Sequence, residues 1–570
     1  MNWNDPQRLW IELVAATEYN RRFLGVNYDE DRKRYAGIGF RDDWSNEDPD
    51  LENHAFEWFS LFAGAVLAGN PKVKVSTPRS GHMRDLVRAA GYAINRNIVD
   101  TNAVALNEAC LYDWGFRWAV ALTLQEPAPG DYSDFADPPH RPRSKRISPT
   151  HYVSDPVSLW QDEDRFRGHG MVRDKADLIK EAEEDGSWNL ALIKALPEEI
   201  GVDDMRRSTS RSTGTAARGE VTLYELWVPE VRLPKAFDEN GEEFEPAPED
   251  GYNGTIFTVP HGGGGDAREA LEKLLAQGEH IRRPRPFYGP PEGPYTVSGA
   301  YMVPDENRHL SPLAAVAAQT DELNTHRRAM SRRMSEYKRG LAVDTTRLAD
   351  LAQTLSEFED SHVFGVEGVE DIQKVLKQIE VSGLSDQDLA HYQFLRDAVQ
   401  RATGTTDAER GQLDKDVKAT VALIGNQSSN RRAGHLERTF ANTFVLGYIR
   451  KEAWYILRDE RTGKRLGAEA SMLFLDPTTG EPIEDAVWMG GDVHPEDVEM
   501  KIDLFSMSQT TEEQQAFQAQ QVDQLVLSMM PLVRKFPEWD WEGYFQYRGE
   551  QLEVPQLSRW MNYDKARQMG

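Results

Sequence analysis

Six cations crowd one short stretch of the chain: Arg327, Arg328, Arg332, Arg333, Lys338 and Arg339, opposed only by Glu336. Wound as a helix, five of them fall within an arc of roughly 140°. Such a row can hold phosphates, pair with an acidic partner, or simply face water. The residue types that do covalent chemistry lack the spacing for it. The 13 histidines are scattered, with no His-Glu-x-x-His pair. There is no Gly-x-Ser-x-Gly elbow, no Walker pattern and no dinucleotide fingerprint. Carboxylates are abundant, but no two acids and a base stand at motif-like spacing. Cys110 is the only cysteine, which excludes an intramolecular disulfide and argues against a cysteine zinc site. Within ALNEACLYDWGF it reads as a small buried hydrophobe, in a reduced intracellular setting. Glycines 262–265 lack a following Lys-Ser or Lys-Thr and read as a linker, and DENG at 238–241 reads as a hairpin turn. The expectation is no enzyme, no cofactor and no metal.

The cations need a rod to carry them. Residues 311–339, SPLAAVAAQTDELNTHRRAMSRRMSEYKR, read as one helix about 43 Å long. Pro312 sits at its start, where a missing N–H costs nothing, and Gly340 is expected just past its end. A mixed insert follows. LAVD at 341–344 and HVFGV at 362–366 look like strands, while 348–358 and 369–379 have helical spacing. A second helix starts at Ser385, with Asp388 completing a capping-box-like start, and stops at Thr403–Gly404. The loop TGTTDAERGQLDKD comes next, and a third helix runs over 417–458 with a kink or break expected at 425–430.

This order, helix, insert, helix, glycine-bearing loop, long helix, resembles the portal proteins of tailed bacteriophages. SPLAAVAAQTDELNTHRRAMSRR looks like that family's first stem helix. ATGTTDAERGQLDKDVKAT resembles the stretch around its tunnel loop, with Gly404, Arg410–Gly411 and Ala419–Thr420 at similar places. Val421 stands where many members carry an acidic residue. ISPTHYVSDPVSLW resembles the family's turn after a strand, a signal of low specificity. The resemblance covers most of the chain by element order and about 110 residues by motif.

The resemblance implies a mixed α+β, predominantly helical portal-type fold. Its divisions are an N-terminal wing part (1–305), stem helix 1 (306–340), a clip (341–384), stem helix 2 (385–402), a tunnel loop (403–416), a C-terminal wing part (417–508) and a crown (509–570). It implies a homo-oligomeric ring of twelve subunits at the capsid vertex of the virion, assembled in the host cytoplasm. Double-stranded DNA would pass through during packaging and ejection. The implied protein partners are the terminase large subunit, head-completion adaptor and tail proteins, the major capsid protein and the scaffold. The implied DNA-channel residues are Thr405, Thr406, Asp407, Glu409, Arg410, Gln412 and Lys415. The charges of that loop, Asp407, Glu409, Asp414 and Asp416 against Arg410 and Lys415, would touch phosphates only weakly. The six stem cations would face either DNA or an acidic neighbour. Two other readings stay open: another neck or scaffold protein of the virion, and a metal-dependent nuclease.

Composition agrees with a large multi-part chain. Its 570 residues exceed a single-core domain, and 28% charged against 39% hydrophobic residues is globular. A net charge of −28 argues against tight duplex binding over a wide surface, though not against a conduit. The longest apolar stretch, 61–69, is too short to span a bilayer, and MNWNDPQRLW lacks a signal-peptide pattern. No membrane association is expected.

The rest of the chain reads as alternating helices and strands. Helices are expected near the N-terminus, over 53–69, over 82–115 as one long rod, and over 174–184. Residues 29–50 and the Pro-rich 126–146 are expected to be irregular, and 206–218 a surface loop. KVKVS at 72–76, 118–125, 221–229, 254–260 and VEMKIDLFS read as strands. An amphipathic helix over 510–534 and an aromatic tail close the chain.

Overall fold

A computed structural model describes residues 3–37, 52–66, 70–77, 82–127, 140–160, 163–196, 220–237, 243–245, 251–261, 266–303, 309–313, 316–335, 338–343, 376–381, 385–403, 434–458 and 498–503. Their helices and strands interleave along the chain. Helix α1 (Pro6–Tyr35) begins where Asp5 caps Gln7 and Pro6 needs no N–H donor. Its Leu9, Leu13 and Ala16 are buried, and Asn20 on the same side donates to the Tyr152 carbonyl at 2.7 Å. The helix continues to Tyr35, so the first part of the 29–50 stretch expected to be irregular is helical.

Helix α2 (His54–Val66) supplies aromatic side chains to the main core. The rod expected over 82–115 is two helices, α3 (His82–Asp100) and α4 (Ala103–Phe116). Asn102 breaks them apart in a left-handed conformation, φ 54°, which Asn tolerates better than most residues. The break lets α4 lie against α2. There Gly115 is needed for packing: a Cβ would stand 2.5 Å from the Phe59 ring.

The strands form small antiparallel sheets. The first strand, β1 (Lys72–Ser76), is separate from the three-stranded sheet. In that sheet β2 (Ala119–Pro127) pairs with β3 (His140–Ile147). Strand β3 corrects the last part, 140–146, of the stretch 126–146 expected to be irregular, of which 128–139 lie outside the described residues. Its HRPRSKRI alternates, with Pro142 and Ser144 buried and Arg143 and Lys145 exposed, a period of two obscured by charge and proline. Next come β4 (Tyr152–Ser154), β5 (Arg167–Asp174), α5 (Lys175–Glu184), α6 (Leu190–Ala195) and β6 (Glu220–Val228). A short antiparallel pair, β7 (Ala236–Phe237) and β8 (Glu243–Phe244), brackets the DENG turn segment. Strand β9 (Tyr252–Pro260), helix α7 (Asp266–Leu275) and β10 (Arg285–Tyr288) follow, and a five-stranded sheet runs β10-β9-β6-β5-β4. Strand β11 (Tyr295–Ser298) pairs with β2, and β12 (Tyr301–Met302) pairs with β13 (His309–Leu310).

Helix α8 (Ala317–Ser335) then leads to β14 (Lys338–Val343), which pairs with β15 (Leu376–Val381) before α9 (Asp386–Thr403). The expected 29-residue rod is thus shorter at both ends. Lys338 and Arg339 lie in a strand opposite Val381 and Glu380, and Gly340 pairs with Ile379 instead of capping a helix. Residues 376–379 of the 369–379 stretch, expected to be helical, are also strand, and 369–375 lie outside the described residues. Residues 341–343 of β14 are the strand expected at 341–344, while ladder pairing overrode the local helical pattern of 338–339 and of 376–379.

The chain re-enters the body as helix from residue 434, passes through a π-helical stretch (Phe440–Val445) and ends this run in α10 (Leu446–Arg458). Strand β16 (Glu499–Asp503) pairs with β1 in the register Lys72↔Asp503 to Ser76↔Glu499. The main core is built from both sides of the α8–α9 excursion. Trp58, Phe59, Phe62, Trp114 and Ile94 meet Phe440, Phe444, Ile449 and Leu457. Phe62 stacks on Trp114 at 5.8 Å and Phe440 meets Trp114 edge-on at 5.5 Å. Each such side chain contributes about 1.5–3 kcal/mol on full burial, so residues near 60, 115 and 440 form one body. No described helix is long and apolar enough to cross a membrane.

The expected strand 362–366, helix 348–358, loop 206–218, linker glycines 262–265, helix 510–534 and aromatic tail lie outside the described residues. So do the loop residues 404–416 and the 417–433 part of the third helix.

Candidate functional site

The described site residues gather where the α8–α9 pair meets the body. Helix α9 starts as its sequence dictates. The Asp388 N–H donates to Ser385 Oγ at 3.1 Å, and the Ser385 N–H donates back to Asp388 Oδ2 at 3.1 Å. Arg333 of α8 reaches the same carboxylate at 2.7 Å. The Ser385 contacts, with Arg333 behind them, hold Asp388 down to about 2. His326 Nε2 donates to the Asp388 carbonyl at 2.9 Å, and its ring packs edge-on against His391 at 5.0 Å. Below these polar contacts Leu323, Leu395 and Val399 are buried between the helices, with Tyr392 beside them. The two rods are therefore antiparallel, apolar toward the body and polar toward the β14–β15 end.

One carboxylate ties the pair down. Glu52, just before α2, accepts from Arg327 of α8 at 2.8 Å and from the Tyr392 hydroxyl of α9. It also accepts from His54 Nε2 at 3.1 Å, while its own N–H donates to Asn324 Oδ1 at 2.9 Å. Burial alone would raise its pKa, but the bonds from His54 and Tyr392, with Arg327 close by, bring it down to about 2. Burial, together with the bond to Glu52, pushes Tyr392 up to about 12. A second clamp lies beside it. Arg34 of α1 grips Asp321 of α8 with two bonds, 3.1 and 2.8 Å, and Asp31 with a third at 2.8 Å. The cleft between these clamps is lined by Asp31, Arg34, Glu52, His54, Leu313 and Thr320.

The body behind the junction holds charges of its own. Arg146 of β3 forks onto the buried Asp113 of α4, which also accepts from the Tyr28 hydroxyl at 2.9 Å. Adjacent residues of α10 point to different neighbours: Lys451 donates to the Tyr295 carbonyl, and Glu452 accepts from Ser144 at 2.7 Å and Asn97 at 2.9 Å. Burial brings Lys451 down to about 7 and lifts Glu452 to about 7. Cys110 is fully buried, and burial pushes its thiol well up, away from the thiolate form.

Of the six cations picked from the sequence, the structure brings Arg327 and Arg333 into ion pairs within the chain. Arg328 is half-buried and also engaged, whereas Arg332 is exposed. Lys338 and Arg339 sit on β14, off the helix, so the expected arc holds only for its first three members. Thr405, Thr406, Asp407, Glu409, Arg410, Gln412 and Lys415 lie outside the described residues. Glu52, Asn324, Tyr392 and the Arg34–Asp321 pair escaped the sequence reading. Asn324 and Tyr392 did stand at helical spacing toward the apolar face, where buried polar groups need partners. Among the described residues no group of three or more His, Cys, Asp or Glu side chains could hold a metal ion. Two ion-pair clamps and a buried apolar seam hold the α8–α9 pair against the body. Set against known proteins, no family model matches the chain, and no curated protein matches it.

Proposed function

We propose that the chain is the portal subunit of a tailed phage, a structural protein that forms the ring at the capsid vertex through which double-stranded DNA is packaged and ejected. One observation carries this reading. An antiparallel helix pair, joined at its far end through the paired strands β14 and β15, projects from a body closed by segments on both sides of the excursion. In this reading α8 and α9 are the stem, the β14–β15 insert belongs to the clip, and the body is the wing. Element order and the motif stretches at 311–333 and 402–420 support it.

In the ring, the Glu52 and Arg34 clamps fix the stem against the wing, so a push on the clip reaches the wing without being lost in a hinge. The clip would dock the terminase large subunit, then the head-completion adaptor and tail proteins, while the wing would meet major capsid protein and scaffold. The loop 403–416 would line the channel. Electron microscopy of the purified protein tests the reading: closed rings are expected, of twelve subunits. Monomers under all assembly conditions would refute it. Duplex DNA trapped in such rings should cross-link most strongly between Thr405 and Lys415.

A further inference from the structure

Behind Asp31 stands a second arginine, Arg117. It caps α4, where its backbone N–H donates to the Asp113 carbonyl at 2.8 Å. Its side chain is 8% exposed, and Nε is sealed from solvent without an acceptor. Among the described residues the guanidinium makes no hydrogen bond, and one acid stands within ion-pair reach: Asp31 Oδ2, 4.0 Å from Nη2. Burial pushes Arg117 below the ordinary arginine value, with Asp31 opposing. A buried guanidinium without hydrogen bonds is costly, and folded proteins keep few of them. A full charge-assisted bond to Asp31 would need a movement of only about 1 Å.

Asp31 is already engaged. It is buried too, and its Oδ1 accepts from Arg34 Nη1 at 2.8 Å, three residues on along α1. That bond orients Arg34, whose other two nitrogens grip Asp321 of α8. Charges therefore alternate from the body to the helix pair: Arg117, Asp31, Arg34, Asp321. The two arginines stand on different elements. Arg117 belongs to the body, between α4 and β2, whereas Arg34 is on the last turn of α1. We infer that Arg117 is the alternative partner of Asp31, and that exchange of this carboxylate between Arg34 and Arg117 sets how firmly α8 is clamped to the body. With Asp31 on Arg34 the clamp is closed. With Asp31 turned to Arg117 the buried cation is satisfied, Arg34 loses the bond that orients it, and its grip on Asp321 slackens. One carboxylate cannot serve both, so each arrangement leaves one arginine short, and the junction has two states to choose from. The device lies within one chain and does not depend on ring assembly.

Amide hydrogen exchange on the full chain tests this with Arg117→Met, Arg34→Met and the double variant. Removing the competitor should close the clamp: in Arg117→Met, α8 amides from Asp321 to Thr325 should exchange about fivefold slower than in the wild type. In Arg34→Met the same amides should exchange about tenfold faster or more, while α1 amides beside Asp31 stay protected, because Arg117 takes the carboxylate. The double variant strands Asp31, so those α1 amides should exchange far faster than the two single effects combined. If Arg117→Met does not fold, Arg117→Lys replaces it; it keeps the charge, loses the fork, and should slow α8 exchange in the same way. Failure of both to fold, or faster α8 exchange, would make Arg117 a plain support of the junction and overturn the inference. Unchanged α8 exchange, or a double variant whose effects simply add, would also overturn it.

Discussion

Replacing Glu52 by alanine should loosen the helix pair from the body without unfolding either. The magnitude follows from the carboxylate's surroundings. Its pKa falls from an ordinary 4.5 to about 2, and each tenfold change is worth about 1.4 kcal/mol. The ionised state thus contributes about 3 kcal/mol, or about 2–3 kcal/mol after allowing for the 20% of the side chain that meets solvent. The group's folded value is depressed, so its contribution is present above pH 4.5 and is lost as pH falls through about 2. A chain of several parts has no single unfolding free energy, so the assay must be local. Amide hydrogen exchange, corrected for intrinsic rates, suits it. In Glu52→Ala, amides of α8 near Arg327 and of α9 near Tyr392 should exchange about 30–150-fold faster at pH 7, while β6 and β9 stay unchanged. In the wild type the same amides should lose protection from pH 4.5 down to about 2, and in Glu52→Gln that pH dependence should shrink to the part set by Asp388 at the start of α9. A change below about threefold, or one spread evenly over the sheets, would refute the reasoning.

Three further perturbations read the same physics elsewhere. Burial raises Glu452 to about 7, so the folded state favours its protonated form, and the contribution is lost as pH rises through 7; Glu452→Gln should raise thermal stability at pH 8 and change little at pH 5, as followed by calorimetry. Arg146→Met should cost about 2–3 kcal/mol locally by stranding the buried Asp113, read as faster amide exchange in α4 and β3, and adding Asp113→Asn should recover most of it. Ser385→Ala removes the side-chain half of the capping box and should cost about 1 kcal/mol at the start of α9, seen as faster exchange of the Asp388 and Leu389 amides alone.

What could be read from the sequence was local. The Ser385–Asp388 box, the apolar side of α1, the alternation of β1 and β16 and the hydrophobic pattern around Cys110 each announce themselves within a few residues. The junction does not. Glu52 and Tyr392 are 340 positions apart and Glu52 and Asn324 are 272 apart, so no window of sequence holds both partners. Strand β15 failed for the same reason: 376–379 became strand by pairing with β14, although the local pattern favoured helix, whereas 341–343 of β14 fall within the strand expected at 341–344. Strand β3 failed differently, because its alternation was present but carried by Arg, Lys, Pro and Ser, not by apolar residues.

The pairing of the α8 cations bears on the proposed channel. A row of six arginines and lysines suggests a surface that grips phosphate. In the folded chain Arg327 is committed to Glu52 and Arg333 to Asp388, and both acids are held ionised by those partners and by nearby hydroxyl groups. A guanidinium already paired with a carboxylate offers a phosphate little net charge. Lys338 and Arg339 have left the helix for a strand. Each cation committed to an acid removes about one phosphate contact's worth of salt dependence. If the proposed ring carries DNA past this helix, its grip should therefore be weak, as a conduit requires. That weakness comes from internal pairing as much as from the net charge of −28. The prediction that follows is specific. Freeing Arg327 with Glu52→Gln should steepen the salt dependence of DNA retention in assembled rings, whereas Arg332→Gln should flatten it. Identical slopes in wild type and both variants would mean that α8 never faces the DNA.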